Sequence, residues 1–449
     1  MTGTAPMEYA LTELHYAGDP IPHLAALREL GHPVLLDSAA PGGAFGRYSI
    51  LAAGPVALIT PEEGESGSET LTRLREAIFA LGPASWPAGT QLPFGAGALG
   101  FISYDFGRQL EAFPTQALAD IDLPPLRLGI YAWSLVSDHL LGRSWLVCHP
   151  QLADEVRLDI LARVREPEQA GTFCLNGGFT ADQTREQYQA AFERVQAYIR
   201  AGDTYQINLA QRFQARCSGD PLGAYQHLRR VCPTPFSAYL EADDAAILCH
   251  SPERFLKVAD GQVETRPIKG TRARGGTPAQ DSALAEELRL CEKDRAENVM
   301  IVDLLRNDLG RTCALGSVSV PELFAVETYP NVHHLVSSIT GTLAPGRDAL
   351  DLLAGAFPGG SITGAPKIRA MQIIEELEPV RRSLYCGSIG YIGCEGQMDL
   401  NIAIRSLIHQ NATLYLWGGG GIIADSEAEA EYQETLTKVS VLMDALRIL

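Results

Sequence analysis

Between residues 10 and 150 the apolar positions come in short runs cut by Gly and Pro, such as Pro33-Val34-Leu35-Leu36 and Trp145-Leu146-Val147-Cys148. Short apolar runs bounded by turn residues predict buried strands. Two stretches break the rhythm: Leu71 to Leu81 and Leu152 to Val164 space their apolar residues three and four apart, which predicts helices. Glu166 to Gly178 is polar and contains glycine, and it predicts a boundary. Beyond it, helix-spaced stretches (Ala181 to Arg200, Pro278 to Asn307, Pro366 to Leu377, Glu427 to Leu449) alternate with strand-like runs such as Ala245 to Leu248 and Gly387 to Gly393. The pattern divides the chain into an N-terminal part, 1–170, and a mixed α and β part, 180–449. No fixed-period repeat or low-complexity tract occurs, which excludes a solenoid.

Composition narrows the class. A chain of 449 residues can bury a large core, and 46% hydrophobic with 20% charged residues is ordinary globular composition. Its 36 Lys+Arg against 54 Asp+Glu leave a net charge of −18, which repels nucleic acid backbones and anionic lipid. We therefore expect no nucleic acid partner, no membrane partner, and a small soluble substrate. The nine cysteines form no C-x-x-C pair, no signal peptide opens the sequence, and no run of 18 apolar residues occurs. These features predict a reduced, cytoplasmic protein.

Candidate chemistry lies in three places. Gly359 to Lys367 is a Gly-rich turn before a helix expected to begin at Pro366; it lacks the G-K-[S/T] ending of a phosphate loop but suits a carboxylate ligand. Asp294 and Glu297 lie three apart on one predicted helix, and Glu431 and Glu434 repeat the spacing on another. Such pairs are commonly solvated surface, but two faces could share an oxygen-liganded cation, for which Mg²⁺ is the natural choice. Lys269, between Pro267 and Gly270, is held where one side chain can be aimed into a cleft. At an ordinary pKa of about 10.4 only about one lysine in a thousand is neutral near pH 7.4, so a nucleophilic role needs burial or a neighbouring cation. Gly95 to Gly100 matches G-x-G-x-x-G, but the strand-like Phe101 to Asp105 follows where a dinucleotide site requires a helix.

The chain resembles the chorismate-utilising enzymes, most closely their aminodeoxychorismate synthase branch. The likeness runs through Gln206-Ile207-Asn208-Leu209, Ser251 to Phe255, Pro267-Ile268-Lys269-Gly270-Thr271, Asp294 to Asn298, Asp303 to Asp308, Val332 to Ser337, Phe357 to Lys367, Asp399 to Arg405 and Gly418 to Glu434. It is looser before residue 170, through Leu35 to Ser38, Gly46 to Ser49 and Gly97 to Gly107. The resemblance implies an α+β fold whose large antiparallel sheets form a central sandwich covered by helices, with strands of both parts mixing. It implies an N-terminal domain like that of anthranilate synthase component I and a chorismate-binding catalytic domain.

The same resemblance implies the chemistry: Mg²⁺ held by Glu297 and Glu434, with Asp294 and Glu431 supporting its waters. It puts substrate on Gln206, Gly270, Thr271, Ser361, Lys367, Tyr385, Arg405 and the backbone of Gly419, Gly420 and Gly421. Lys269 is the implied nucleophile, Glu253 the acid and base, and His334 a further catalytic candidate. The product implied is 4-amino-4-deoxychorismate, on the route to 4-aminobenzoate and folate, made from chorismate and ammonia that a partner glutaminase releases from glutamine. Water-adding members carry lysine where this chain has Gln206, and anthranilate synthases carry alanine where it has Lys269. The alternatives are anthranilate synthase component I and a non-catalytic chorismate- or tryptophan-binding homologue. A bound tryptophan would fall at Ser38, Arg47, Tyr48, Ser49, Ile50, Pro235, Phe236 and Ser237.

Overall fold

Two antiparallel sheets stand face to face in the computed structural model, which describes residues 7–16, 18–39, 45–329 and 332–449. The first sheet has thirteen strands. Along its main path lie Phe173–Leu175, Gln206–Gly219, Thr413–Ile422, Ser406–Gln410, Ala245–Ser251, Phe236–Ala242, Val34–Asp37, Tyr48–Ala52, Trp133–Asp138, Arg143–Cys148 and Ala10–Leu14. The second, of ten strands, runs from Ile268–Ala273 through Val332–Thr342, Gln262–Arg266, Arg254–Ala259, Met398–Asn401, Ser388–Gly393, Gly97–Ile102 and Leu126–Tyr131 to Ala57–Ile59. Strands from either side of residues 166–178 enter both sheets, so the α+β sandwich implied by the resemblance is built by the whole chain.

Side-chain parity explains the uninterrupted apolar runs. In Ala245–Ser251, Ile247 and Cys249 join the core between the sheets, while Ala246 and Leu248 join a second core under the outer helices. Val34 and Leu35, and Ile50 and Leu51, divide in the same way. A strand buried on both faces shows no polar alternation. The helices Ile21–Leu27, Asp154–Arg165, Pro221–Val231 and Ala428–Leu446 cover that second core.

Two expected helices differ from their pattern. Ala181 belongs to a short strand, and the helix Arg185–Ala201 starts after Thr184, whose side chain forms a capping box with Gln187. Two satisfied end donors fix the start more sharply than apolar spacing does. The stretch from Pro278 breaks at Cys291, where ψ of 111° separates Pro278–Leu290 from Glu292–Gly310. Glu292 and Asp294 then lie in the first turn of the second helix, where negative charge meets the positive end of its dipole. All nine cysteines are free thiols, and among the described residues no helix is long and apolar enough to cross a membrane.

Candidate active site

The motif Lys269-Gly270-Thr271 makes a bulge. Ile268 pairs with Val336 and Thr271 with His334, so the strand carries one residue more than its partner between these points. Gly270 permits this at φ +77°, and a side chain there would meet Asp294 and Leu288 at 2.8 Å. The bulge turns Lys269 out of the ladder, and its Nζ donates to the Ser361 carbonyl at 3.1 Å. Burial lowers the Lys269 pKa below the ordinary lysine value, against the opposing pull of the Glu297 and Glu253 carboxylates.

Glu253 leads into the strand Arg254–Ala259 and is buried. Its Oε1 accepts from the Ser361 hydroxyl at 2.8 Å. Burial raises its pKa, with Lys269 and the Ser361 hydrogen bond opposing. Low dielectric thus moves both groups toward their neutral forms, an amine and a carboxylic acid, as nucleophilic and general-acid work require. His334 is buried on the neighbouring strand, its Nδ1 2.9 Å from the Thr271 hydroxyl. Burial and the nearby Arg405 lower its pKa to about 4, so its imidazole is neutral near pH 7. Arg405, at φ +51°, has no carboxylate partner among the described residues and is available to an anion.

The acidic pairs converge from Glu292–Gly310 and Ala428–Leu446. Burial raises the pKa of Glu297, and Asp294 and Glu431 raise it further; burial also raises that of Glu431, helped by Glu434. In Glu434 burial acts upward too, but Lys438, with Nζ at 2.6 Å, outweighs it and the net shift is down. Glu431 accepts from Ser426 at 2.6 Å and lies 3.8 Å from Lys293 Nζ. Asp294 Oδ2 accepts no hydrogen bond among the described residues; Arg272 Nη2 stands 3.3 Å away. Among the described residues no three acidic, His or Cys side chains form a ready cage. The donor set still suits Mg²⁺, which keeps several waters and binds through one or two carboxylates plus substrate oxygens.

The other predicted residues divide. On the inner face of Gln206–Gly219 and Thr413–Ile422, Gln206 approaches Gly421 so closely that a Cβ there would lie 2.1 Å from its Nε2. A Cβ on Gly419 would lie 2.8 Å from the Tyr385 hydroxyl, and one on Gly420, 3.0 Å from Glu431 Oε2. Bare backbone thus faces both Tyr385 and the acidic pairs. Lys367 is committed elsewhere: its Nζ donates to Asp308 Oδ2 at 2.6 Å and to the Ala356 carbonyl at 2.7 Å. Pro366 precedes the helix Lys367–Leu377 instead of opening it, so the turn expected to take a carboxylate has an internal one in Asp308. The sequence reading missed Lys293 and Lys438; the four-residue spacing of Glu434 and Lys438 was the available signal.

A second space lies between the sheets. Ser38, Arg47, Tyr48, Ile50, Pro235, Phe236 and Ser237 line a cavity of about 620 Å³. Ser49 stands behind it, donating to Asp37 at 3.1 Å and 2.8 Å from His139 Nε2. Arg47 is paired with Asp138 at 2.7 Å.

A half-buried lysine, a buried glutamic acid, facing carboxylates and a glycine-bared strand thus meet in one site. The chain belongs to the chorismate binding enzymes, whose family pattern matches residues 31–444. Within the family it is 47% identical over 426 residues to aminodeoxychorismate synthase component 1 of Klebsiella aerogenes, covering 92% of this chain and 93% of that protein. It is 44% identical to the protein of the same name from Salmonella typhimurium, covering 94% and 95%. Anthranilate synthase component I from Streptococcus pneumoniae has a similar solved structure, with a TM-score of 0.75, 29% identity, and coverage of 99% of this chain and 94% of that one.

Proposed function

We propose that this chain converts chorismate and ammonia to 4-amino-4-deoxychorismate through a covalent adduct on Lys269. The observation that carries the reading is the half-buried Lys269 set beside the buried Glu253, both joined to Ser361. The names of its relatives support the product.

In the first step the neutral Lys269 amine forms a bond to ring carbon 2, both ring double bonds shift along the ring, and the bond from carbon 4 to its hydroxyl breaks. Glu253 delivers its proton to that hydroxyl, which leaves as water. Ammonia then bonds to carbon 4, both double bonds shift back, and the lysine–carbon 2 bond breaks. Glu253 takes a proton from the entering nitrogen, and the departing lysine nitrogen retains the one that returns it to an amine. The sum is chorismate plus ammonia giving aminodeoxychorismate plus water. Arg405 faces a carboxylate, and neutral His334 serves as a hydrogen-bonding wall. Glu297 and Glu434 are the residues suited to hold Mg²⁺, which when bound would neutralise the substrate's ring carboxylate. The two relatives named above are called component 1, which supports a separate component that releases ammonia from glutamine.

The cavity of about 620 Å³ is of amino-acid size, and we read it as a tryptophan site; a rise in Tm with tryptophan would test it. For the reaction the test is mass-spectrometric product analysis with chorismate, Mg²⁺ and ammonium at mildly alkaline pH. Aminodeoxychorismate is expected, and anthranilate with pyruvate would contradict the reading.

A further inference from the structure

Two side-chain carbonyls on one face of a strand have nothing to accept among the described residues. Gln206 and Asn208 lie two residues apart on Gln206–Gly219 and so share a face. Gln206 is 1% exposed and Asn208 8%. Neither Gln206 Oε1 nor Asn208 Oδ1 has a hydrogen-bond partner among the described residues. Buried acceptors are rarely left unmet, so a pair of them on one face points to a ligand that brings donors.

The pair belongs to the reaction centre. The Asn208 backbone N–H donates to the Thr363 carbonyl at 2.8 Å, and Gln206 pairs with Ala365, so the strand end hangs on the turn that holds Ser361. Asn208 Oδ1 also faces the bare Cα of Gly419 and the Tyr385 hydroxyl, since a Cβ on Gly419 would stand 2.9 Å and 2.8 Å from them. Chorismate is a poor match for two carbonyl oxygens: its carboxylates are acceptors, and its one hydroxyl supplies a single donor. Ammonia is neutral and carries three N–H donors.

Resting on the reaction proposed above, we propose that Asn208, acting with Gln206, holds the ammonia that attacks the ring. Asn208→Leu keeps the volume and removes the acceptor; it should raise the KM for ammonium about tenfold or more and move the KM for chorismate less than about threefold. Asn208→Asp keeps acceptor oxygens and should stay within about threefold of wild type for ammonium. A test independent of refolding uses the wild-type chain, which should favour ammonium over methylammonium by about tenfold or more in kcat/KM, although methylamine is the stronger nucleophile. An unchanged ammonium KM in Asn208→Leu, equal rises in both KM values, or equal use of methylammonium would overturn the assignment while leaving the reaction standing. A wild-type chain that makes no aminodeoxychorismate from ammonium would overturn the reaction and the assignment together.

Discussion

Lys269 and Glu253 are held by opposite ends of one residue: the Ser361 carbonyl accepts from the lysine at 3.1 Å, and the Ser361 hydroxyl donates to the glutamate at 2.8 Å. The hydroxyl stabilises the charged carboxylate, so its removal raises the Glu253 pKa further. Ser361→Ala should therefore lower kcat about ten- to hundredfold and shift the limb of the pH–rate profile set by loss of the Glu253 proton to higher pH. A profile measured at fixed free ammonia that keeps the wild-type limb would contradict this.

Glu297→Gln and Glu434→Gln should each raise the Mg²⁺ concentration for half-maximal effect about tenfold or more, since loss of outer partners alone weakens metal sites by ~10- to 100-fold. Calorimetric titration of the chain with Mg²⁺ reads this without turnover. Equal Mg²⁺ affinity in both variants and wild type would remove the two glutamates from the site.

His250 predicts a pH dependence of stability. It is fully buried, stacks on Tyr225 at 5.2 Å, and both ring nitrogens lack partners among the described residues. Burial lowers its pKa to about 3, with Asp37 opposing and Arg229 and Arg405 assisting. In the unfolded chain it titrates near 6.5, so that state takes up the proton first. The contribution of neutral His250 is complete above that pH and is lost as pH falls toward 3, by about 2 kcal/mol between pH 7 and 5. In His250→Phe, urea unfolding at the two pH values should show a loss smaller by about that amount. An identical loss in both proteins would assign the acid sensitivity elsewhere.

Much of the site was legible because its chemistry sits in compact motifs. Lys269-Gly270-Thr271 announces a lysine at a conformationally special point, and the structure supplies the bulge that gives the glycine its reason. The runs around Val34 and Ala245 announced strands but not faces, because both of their faces are buried. The break at Cys291 has no Gly or Pro to mark it. The commitment of Lys367 to Asp308 joins residues 59 apart, a pairing that spacing along one helix cannot reveal. Asn208 stood in a named motif without a role of its own, because an unmet carbonyl is a property of the packed interior, not of a sequence pattern.

The most direct test of the lysine mechanism is intact-protein mass spectrometry of the chain with chorismate and Mg²⁺ but no ammonium, followed by peptide mapping and then addition of ammonium. A species heavier by chorismate less one water is expected, mapped to Lys269, discharged as aminodeoxychorismate when ammonium is added, and absent from Lys269→Ala. Full aminodeoxychorismate synthesis by Lys269→Ala would contradict it.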